Sequence, residues 1–177
     1  MNSSEANNDI NKPGIDSLIE TLKSKDGLAR QHARHALVKI GEPSLDALIQ
    51  AFAKKGEPMH WEVAKALSQI GTSKAARTLV DALEDKEFSI RWIAAEGLIH
   101  IRTEALVPLL EALIERPDSV WLREGSHHVI HDLISRKLID ETTRELISPV
   151  LDALNHLQAQ SQTHFAAKKA LEALTSE

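Results

Sequence analysis

The sequence predicts an all-α fold, a right-handed solenoid of about five stacked helical hairpins. Three observations support this prediction: a segment that returns about every thirty-one residues, apolar positions spaced as on one helix face, and glycines where helices should end. A hairpin of two amphipathic helices cannot bury its apolar faces alone, so successive copies must stack on one another.

The repeat is clearest in the second helix of each hairpin. The segment 36–41 returns as 66–71 and, in degraded form, as 97–102. Two aligned columns are uniformly apolar, and within each copy they are spaced as on one face of a helix. The columns are Leu37, Leu67, Leu98, Ile130 and Leu171, and Ile40, Ile70, Ile101, Leu133 and Leu174.

The segments between these helices carry the same spacing, for example Leu45, Leu48 and Phe52. Gly41 and Gly71 stand where a helix ends on a left-handed residue, a position that favours glycine. Each copy is therefore predicted to be two helices joined by a short turn. The predicted hairpins span residues 15–41, 43–71, 73–102, 103–135 and 142–175; the longer step before the last predicts a change of curvature near 135–141.

Composition limits the class of protein. Of 177 residues, 42% are hydrophobic and 27% charged, which is typical of a globular chain with one core. The absence of cysteine excludes disulfides and thiolate sites and fits a cytoplasmic location, and no apolar run approaches the ~20 residues of a membrane helix. The net charge of −5 argues against nucleic-acid binding. We predict a disordered tail over 1–14 and a single repeat domain over 15–177.

Two neighbouring stretches carry a family resemblance. Residues 88–98 contain an Arg, paired small residues and a Leu, and residues 104–113 form a proline-containing outer helix; Pro149 matches Pro108 in the last copy. These stretches resemble HEAT repeats of the phycobilisome-lyase type, and the resemblance covers about residues 15–175. It implies the fold, whereas its functions range over scaffolds, bilin lyases, a hydroxylase and DNA-repair enzymes.

A charged column begins the second helices. Taken alone, it suggests an anion-binding groove. Because acids precede four of its five members by three to five residues, the family resemblance implies instead a structural acid–arginine ladder between repeats, which we favour. The column is Arg30, His60, Arg91, Arg123 and His164, and the acids are Asp26, Glu57, Glu87 and Asp118.

The next column carries large aromatic residues away from the core stripe. Trp61 and Trp92 are expected to lie on neighbouring helices, about 10 Å apart, on the concave surface of the solenoid. Ile99, Glu124 and Phe165 are placed on the same surface. Exposed tryptophans in register predict a binding surface for a protein partner. The alternative is that they fold back between repeats as additional core.

Histidines form a second candidate feature. Glu124, His127 and His131 share one helical stripe, and the repeat alignment places Lys168 and Glu172 beside them on the next second helix. Imidazole and carboxylate are legitimate zinc or iron ligands. However, a lysine opposes a cation, and the sequence contains no His-Glu dipeptide of the kind that the family's hydroxylase branch uses. We therefore predict no metal and no cofactor, and assign Glu124, His127 and His131 to the partner-binding surface.

The sequence contains no glycine-rich phosphate loop and no nucleophile elbow, so no catalytic residue is assigned. We predict a non-catalytic scaffold that holds a protein partner on its concave face. Two alternatives stay open. One is a bilin lyase-type subunit that handles a linear tetrapyrrole, for which the resemblance implies a possible heterodimer. The other is a metal-dependent enzyme built on histidine and carboxylate ligands.

Overall fold

The computed structural model describes residues 14–54, 59–155 and 160–176, which contain ten α-helices, two 3-10 turns and no strand. The disordered tail predicted for residues 1–14 lies, except for Gly14, outside the described residues. The helices are α1 (Ile15–Thr21), α2 (Gly27–Ile40), α3 (Leu45–Ala53), α4 (His60–Ile70), α5 (Ser73–Ala82), α6 (Phe88–Ile101), α7 (Leu106–Glu115), α8 (Val120–Ser135), α9 (Glu141–Leu154) and α10 (Gln160–Thr175).

The first eight helices form two layers. Helices α2, α4, α6 and α8 pack side by side as an inner layer, and α1, α3, α5 and α7 form the outer layer. Each inner helix also packs on the outer helix of its own hairpin. This repeated pairing confirms the predicted all-α solenoid, and it leaves one long side of every inner helix open to solvent.

The core between the layers is continuous and almost entirely aliphatic. Leu37, Leu67, Leu98 and Ile130, one predicted column, are fully buried. Glycine makes the closest approach possible, because a Cβ on Gly97 would lie 3.0 Å from the backbone of Ser68 on the neighbouring inner helix. Helices α4 and α6 are therefore held in close contact where Gly97 faces Ser68.

The final hairpin is arranged differently from the others. Helix α9 packs beside the inner helix α8, whereas α10 packs on α9 and on the outer helix α7. Helices α7 to α10 thus form a closed ring of the kind found in four-helix bundles. Lys137, at φ 53, helps to form the short turn between α8 and α9, and a short turn makes consecutive helices antiparallel neighbours.

Because α9 rather than α10 packs beside the inner helix α8, the predicted alignment of α10 with the earlier inner helices is wrong. The fully or nearly buried residues of α10 are Thr163, Ala167 and Ala170, while the aligned Leu171 and Leu174 are only half-buried. Small residues on the buried stripe allow α10 to lie close to α7 and α9. The repeat predicted the helix correctly but placed it beside the wrong neighbour.

Ion pairs connect consecutive repeats across the outer layer. The Lys74 ammonium of α5 lies 2.8 Å from the Asp46 carboxylate of α3. Arg77 of α5 pairs with Glu111 of α7, and Arg116 lies 3.1 Å from Asp81. Ion pairs on the outer helices thus help to fix the stacking of consecutive repeats.

Candidate functional site on the inner helices

The basic column at the start of the inner helices binds backbone carbonyls. Arg30 Nη1 donates to Ser24 O at 2.9 Å, and Arg91 Nη1 donates to Asp85 O at 2.8 Å. His60 Nε2 lies 2.8 Å from Lys54 O. In each case the carbonyl belongs to the residue six positions earlier. Arg30, His60 and Arg91 therefore close the turns that lead into their helices, which argues against an anion-binding groove at these three positions.

Two of the four predicted acids, Asp26 and Glu87, do not form the expected ion pairs with this column among the described residues. Asp26 accepts a hydrogen bond from the Leu28 amide and caps α2. Such a position at a helix start directs the carboxylate to free amides rather than to the next repeat. Among the described residues the Glu87 carboxylate forms no ion pair, Asp118 lines a cavity, and Glu57 lies outside them.

The inner-layer ion pairs use different acids. The buried Glu62 carboxylate of α4 accepts from Arg34 Nε at 2.9 Å and from Arg30 Nε at 3.3 Å, both on α2. His60 Nδ1 lies 3.7 Å from the Asp85 carboxylate of the next repeat. A ladder between inner helices thus exists between α2 and α4, with Glu62 as its acid. Arg123, the fourth member of the predicted column, also has a polar or electrostatic partner, and His164 Nδ1, the fifth, lies 3.1 Å from Ile114 O of α7.

All three tryptophans of the chain are partly exposed on inner helices. Trp61 of α4 is 37% exposed, Trp92 of α6 is 49% exposed and Trp121 of α8 is 43% exposed. Phe88 and Val120 add two further exposed apolar side chains at the starts of α6 and α8. We call the surface formed by these five residues the inner face. Sequence reasoning identified Trp61 and Trp92 as exposed and missed Trp121.

Trp121 could have been found from its spacing. It precedes Glu124 by three residues, so it lies one helical turn earlier on the same stripe of α8. The aligned column alone places Glu124, not a tryptophan, next to Trp92. A search for large apolar residues along the whole exposed stripe detects both Trp121 and Phe88.

Contacts with cations and other rings hold the aromatic residues of the inner face in place. The Arg91 guanidinium lies 4.7 Å from the Trp121 ring and 5.6 Å from the Phe88 ring. The Trp92 ring stacks on His128, with centroids 5.0 Å apart. Because these contacts join α6 to α8, the inner face is continuous across the two helices.

Two residues predicted for the concave surface are not part of it. Ile99 is only 3% exposed and belongs to the core, since Arg136 and Leu138 from the turn after α8 lie near the end of α6. Phe165 is 70% exposed, but it lies on α10, which packs beside α7 rather than α8. The reversed final hairpin therefore removes Phe165 from the column.

The histidine stripe forms polar contacts within the protein. Glu124 is exposed, and the His127 and His131 rings stack with centroids 6.0 Å apart. His127 Nε2 lies 2.8 Å from Asn155 Oδ1, and His131 Nδ1 lies 3.4 Å from an oxygen of Asp132. No three histidine or acidic side chains converge as metal ligands within residues 14–54, 59–155 and 160–176.

The predicted neighbours of this stripe are also wrong. Lys168 and Glu172 lie on α10, which makes at most marginal contact with α8. Instead, a cavity of about 340 Å³ lies beside the stripe. Its lining includes Asp118, Val120, Arg123, Glu124, His127 and Leu154.

Comparison with known proteins places these features among repeat proteins. Residues 57–128, which include all three tryptophans, match the HEAT-repeat family. Phycocyanobilin lyase subunit alpha from Picosynechococcus sp. is 27% identical over 125 residues, which are 69% of this chain and 46% of that protein. The chain thus spans about half the length of this curated relative. None of the described helices has the length and apolarity needed to cross a membrane.

An engineered protein of known crystal structure is also similar. It is 21% identical and has a TM-score of 0.41, and the match covers 92% of this chain and 81% of that one.

Proposed function

Because this chain is a HEAT-repeat protein of the phycobilisome-lyase type, we propose that it is a non-catalytic binding module that holds a protein segment on its inner face. The observation that carries the proposal is the partial exposure of Trp61, Trp92 and Trp121 on three consecutive inner helices. Contiguous exposed apolar surface on a protein is typical of a binding site, and tryptophan is enriched among residues that dominate binding energy.

The surroundings of the tryptophans support a binding role. Arg91 and His128 restrain the Trp121 and Trp92 rings, so little side-chain freedom remains to be lost when a partner covers them. Such preorganisation reduces the entropic cost of association. A segment lying across the inner layer would contact α4, α6 and α8 in turn.

Truncation of the tryptophans tests the proposal. We expect Trp61→Ala and Trp92→Ala, alone and together, to weaken capture of the native partner at least about thirtyfold, because loss of a hot-spot side chain costs about 2 kcal/mol or more. Their melting temperatures should fall only slightly, since both side chains are already partly exposed. Pull-down from native lysate identifies the partner, and titration of that purified partner measures the affinity.

Leu67→Ala is the matched control. Leu67 is fully buried in the same helix as Trp61, so its truncation should cost about 2–5 kcal/mol of folding free energy. If the tryptophan variants melt as early as Leu67→Ala and still retain the partner, these residues are structural and the proposal is wrong.

A second candidate function is that of a bilin lyase-type subunit. It is supported by the match to phycocyanobilin lyase subunit alpha, and the Trp92–His128 and Arg91–Trp121 pairs offer flat surfaces on which a tetrapyrrole could stack. Addition of phycocyanobilin distinguishes the two functions. A saturable change in its absorbance spectrum that Trp92→Ala abolishes would favour the lyase-type function, either alone or with a second subunit. An unchanged spectrum leaves the protein-binding function.

A further inference from the structure

Charge is distributed unevenly between the inner helices and the rest of the chain. The four inner helices contain six Lys or Arg and four Asp or Glu, a formal net charge of +2, whereas the whole chain carries −5. The remaining residues therefore carry −7. The inner-helix cations are Arg30, Arg34, Lys39, Lys65, Arg91 and Arg123, and the anions are Glu62, Glu96, Glu124 and Asp132.

The excess of positive charge is largest toward the α2 and α4 end of the inner layer. Lys39 and Lys65 form no ion pair with any residue that the structure describes. Lys65 follows Trp61 by one helical turn, so the two side chains lie on the same side of α4. Glu62 is the one carboxylate on these two helices, and it is buried against Arg30 and Arg34. The Lys65 ammonium thus lies beside an exposed tryptophan, and Lys39 is exposed in the last turn of the neighbouring inner helix α2.

Arg91 extends this pattern into α6. Its guanidinium donates to the Asp85 and Lys86 carbonyls and lies against the Phe88 and Trp121 rings. No ion pair joins it to a carboxylate among the described residues, so its charge is not neutralised. Carboxylates also occur nearby: Glu96 of α6 lies 3.6 Å from His128 Nε2, the Asp85 carboxylate lies 3.7 Å from His60 Nδ1, and Glu124 is exposed on α8.

We propose that the segment held on the inner face is acidic, with an apolar anchor that covers Trp61 and Trp92 and flanking carboxylates that face Lys39 and Lys65. This inference rests on the proposed protein-binding function and specifies its partner. Complementary charge raises the association rate and discriminates against basic and neutral segments. The −7 carried elsewhere on the chain repels an acidic segment from other surfaces, so binding is directed to the inner helices.

A nucleic acid is the less suitable anionic partner. A phosphate backbone requires a dense track of Lys and Arg, because each neutralised phosphate contributes to the affinity. The inner layer offers only a few cations that are not already held by Glu62. A segment with two or three carboxylates and an apolar side chain matches this small number of cations better.

Peptide selection tests the inference without knowledge of the native partner. A random phage-displayed library of twelve-residue peptides is selected on the full-length protein and counter-selected on the Trp61→Ala/Trp92→Ala double variant. We expect the enriched peptides to combine an aromatic or aliphatic residue with an excess of Asp and Glu over Lys and Arg. Enrichment of neutral or basic peptides would overturn the acidic partner while leaving the proposed function standing. Absence of peptides that distinguish the two proteins would instead contradict the proposed function.

Charge reversal provides the second test. Fluorescence anisotropy measures the affinity of the most enriched peptide, synthesised with a fluorophore, for purified variants. We expect Lys39→Glu/Lys65→Glu to weaken binding about tenfold and to flatten its salt dependence. The matched control is Lys168→Glu/Lys169→Glu on α10, which makes the same charge change outside the inner layer and should leave the affinity within about twofold. Equal affinity for the wild type and both double variants, or tighter binding of a poly(dT) oligonucleotide than of the peptide, would overturn the inference.

Discussion

Arg102 stands where the first two repeats have glycine. Gly41 ends α2 at φ 73 and ψ −135, and Arg102 ends α6 at φ 66 and ψ −130, so the two turns have nearly the same backbone conformation. Glycine adopts this conformation without steric cost, whereas a side chain with a Cβ is strained there. The third repeat thus keeps the turn of the first although it has lost the residue that favours it.

Replacing Arg102 by glycine should therefore stabilise the protein. The released strain, on the order of 1–3 kcal/mol, exceeds the added entropy of a more flexible unfolded chain, about 0.4–1 kcal/mol. We expect the melting temperature of Arg102→Gly to rise by about 2–4 °C for each kcal/mol gained, measured by circular dichroism. Gly41→Ala is the converse control and should lower it. A lower melting temperature for Arg102→Gly would show that its side chain stabilises the protein.

In the candidate site, the position of a residue on its own helix predicts the exposure of some side chains but not of others. Trp61 and Trp92 lie off the apolar stripe of their own helices, so helical geometry alone predicts their exposure. Ile99 follows Trp92 by seven residues and has nearly the same orientation, yet it is buried. Arg136 and Leu138, which lie close to it, come from a later turn, and no local pattern reveals a neighbour so distant in sequence.

Helix α9 begins with a well-formed cap. Asp140 Oδ1 accepts from the Thr143 amide at 2.8 Å, and Oδ2 accepts from the Thr143 hydroxyl at 2.7 Å. These hydrogen bonds, first that of the backbone amide, lower the pKa of the Asp140 carboxyl below its ordinary value of 3.8. The cap fixes the start of the helix that reverses the order of the final hairpin.

The stability contributed by Asp140 should depend on pH in a defined direction. Because its pKa is lower in the folded protein, the ionised carboxylate stabilises the fold above the ordinary pKa, and this effect is lost as the pH falls through the folded value. We expect Asp140→Ala to melt below the wild type at pH 7, with a difference that persists to about pH 4 and shrinks in more acidic buffer. Asp140→Asn keeps an acceptor and serves as control. A difference that does not change down to pH 2 would contradict this assignment.

At the scale of elements, the repeat predicts helices better than it predicts their neighbours. An amphipathic pattern states that one face of α10 is buried, but it does not state which helix covers that face. Alignment with earlier repeats places α10 beside α8, whereas the short turn at Lys137 places α9 there. The predicted contact of Glu172 with His131 failed for this reason, while the all-α solenoid was predicted correctly.

The whole molecule combines two ways of packing helices. From α1 to α8 each hairpin stacks on the previous one, and from α7 to α10 the helices close into a ring. A stack of hairpins otherwise ends with an uncovered apolar face, which terminal repeats must cover or replace by polar residues. Here α9 covers the last inner helix and α10 the last outer helix. The inner face therefore ends at α8, so a segment bound as proposed would not extend onto α9 or α10.

Cross-linking can test this arrangement directly, because the chain has no cysteine that would compete with introduced thiols. His164 Nδ1 lies 3.1 Å from Ile114 O, so the adjacent Glu115 of α7 is close to His164 of α10. A short bis-maleimide that spans about the 8–10 Å between packed helices should join His164→Cys to Glu115→Cys. The same reagent should not join His131→Cys to Glu172→Cys, since α8 and α10 are opposite each other in the ring.

Asp46→Cys/Lys74→Cys, at an ion pair between α3 and α5, should react in either arrangement and serves as the positive control. Efficient cross-linking of the His131/Glu172 pair, without that of the His164/Glu115 pair, would show that the last hairpin stacks like the others and that the inner face extends onto α10.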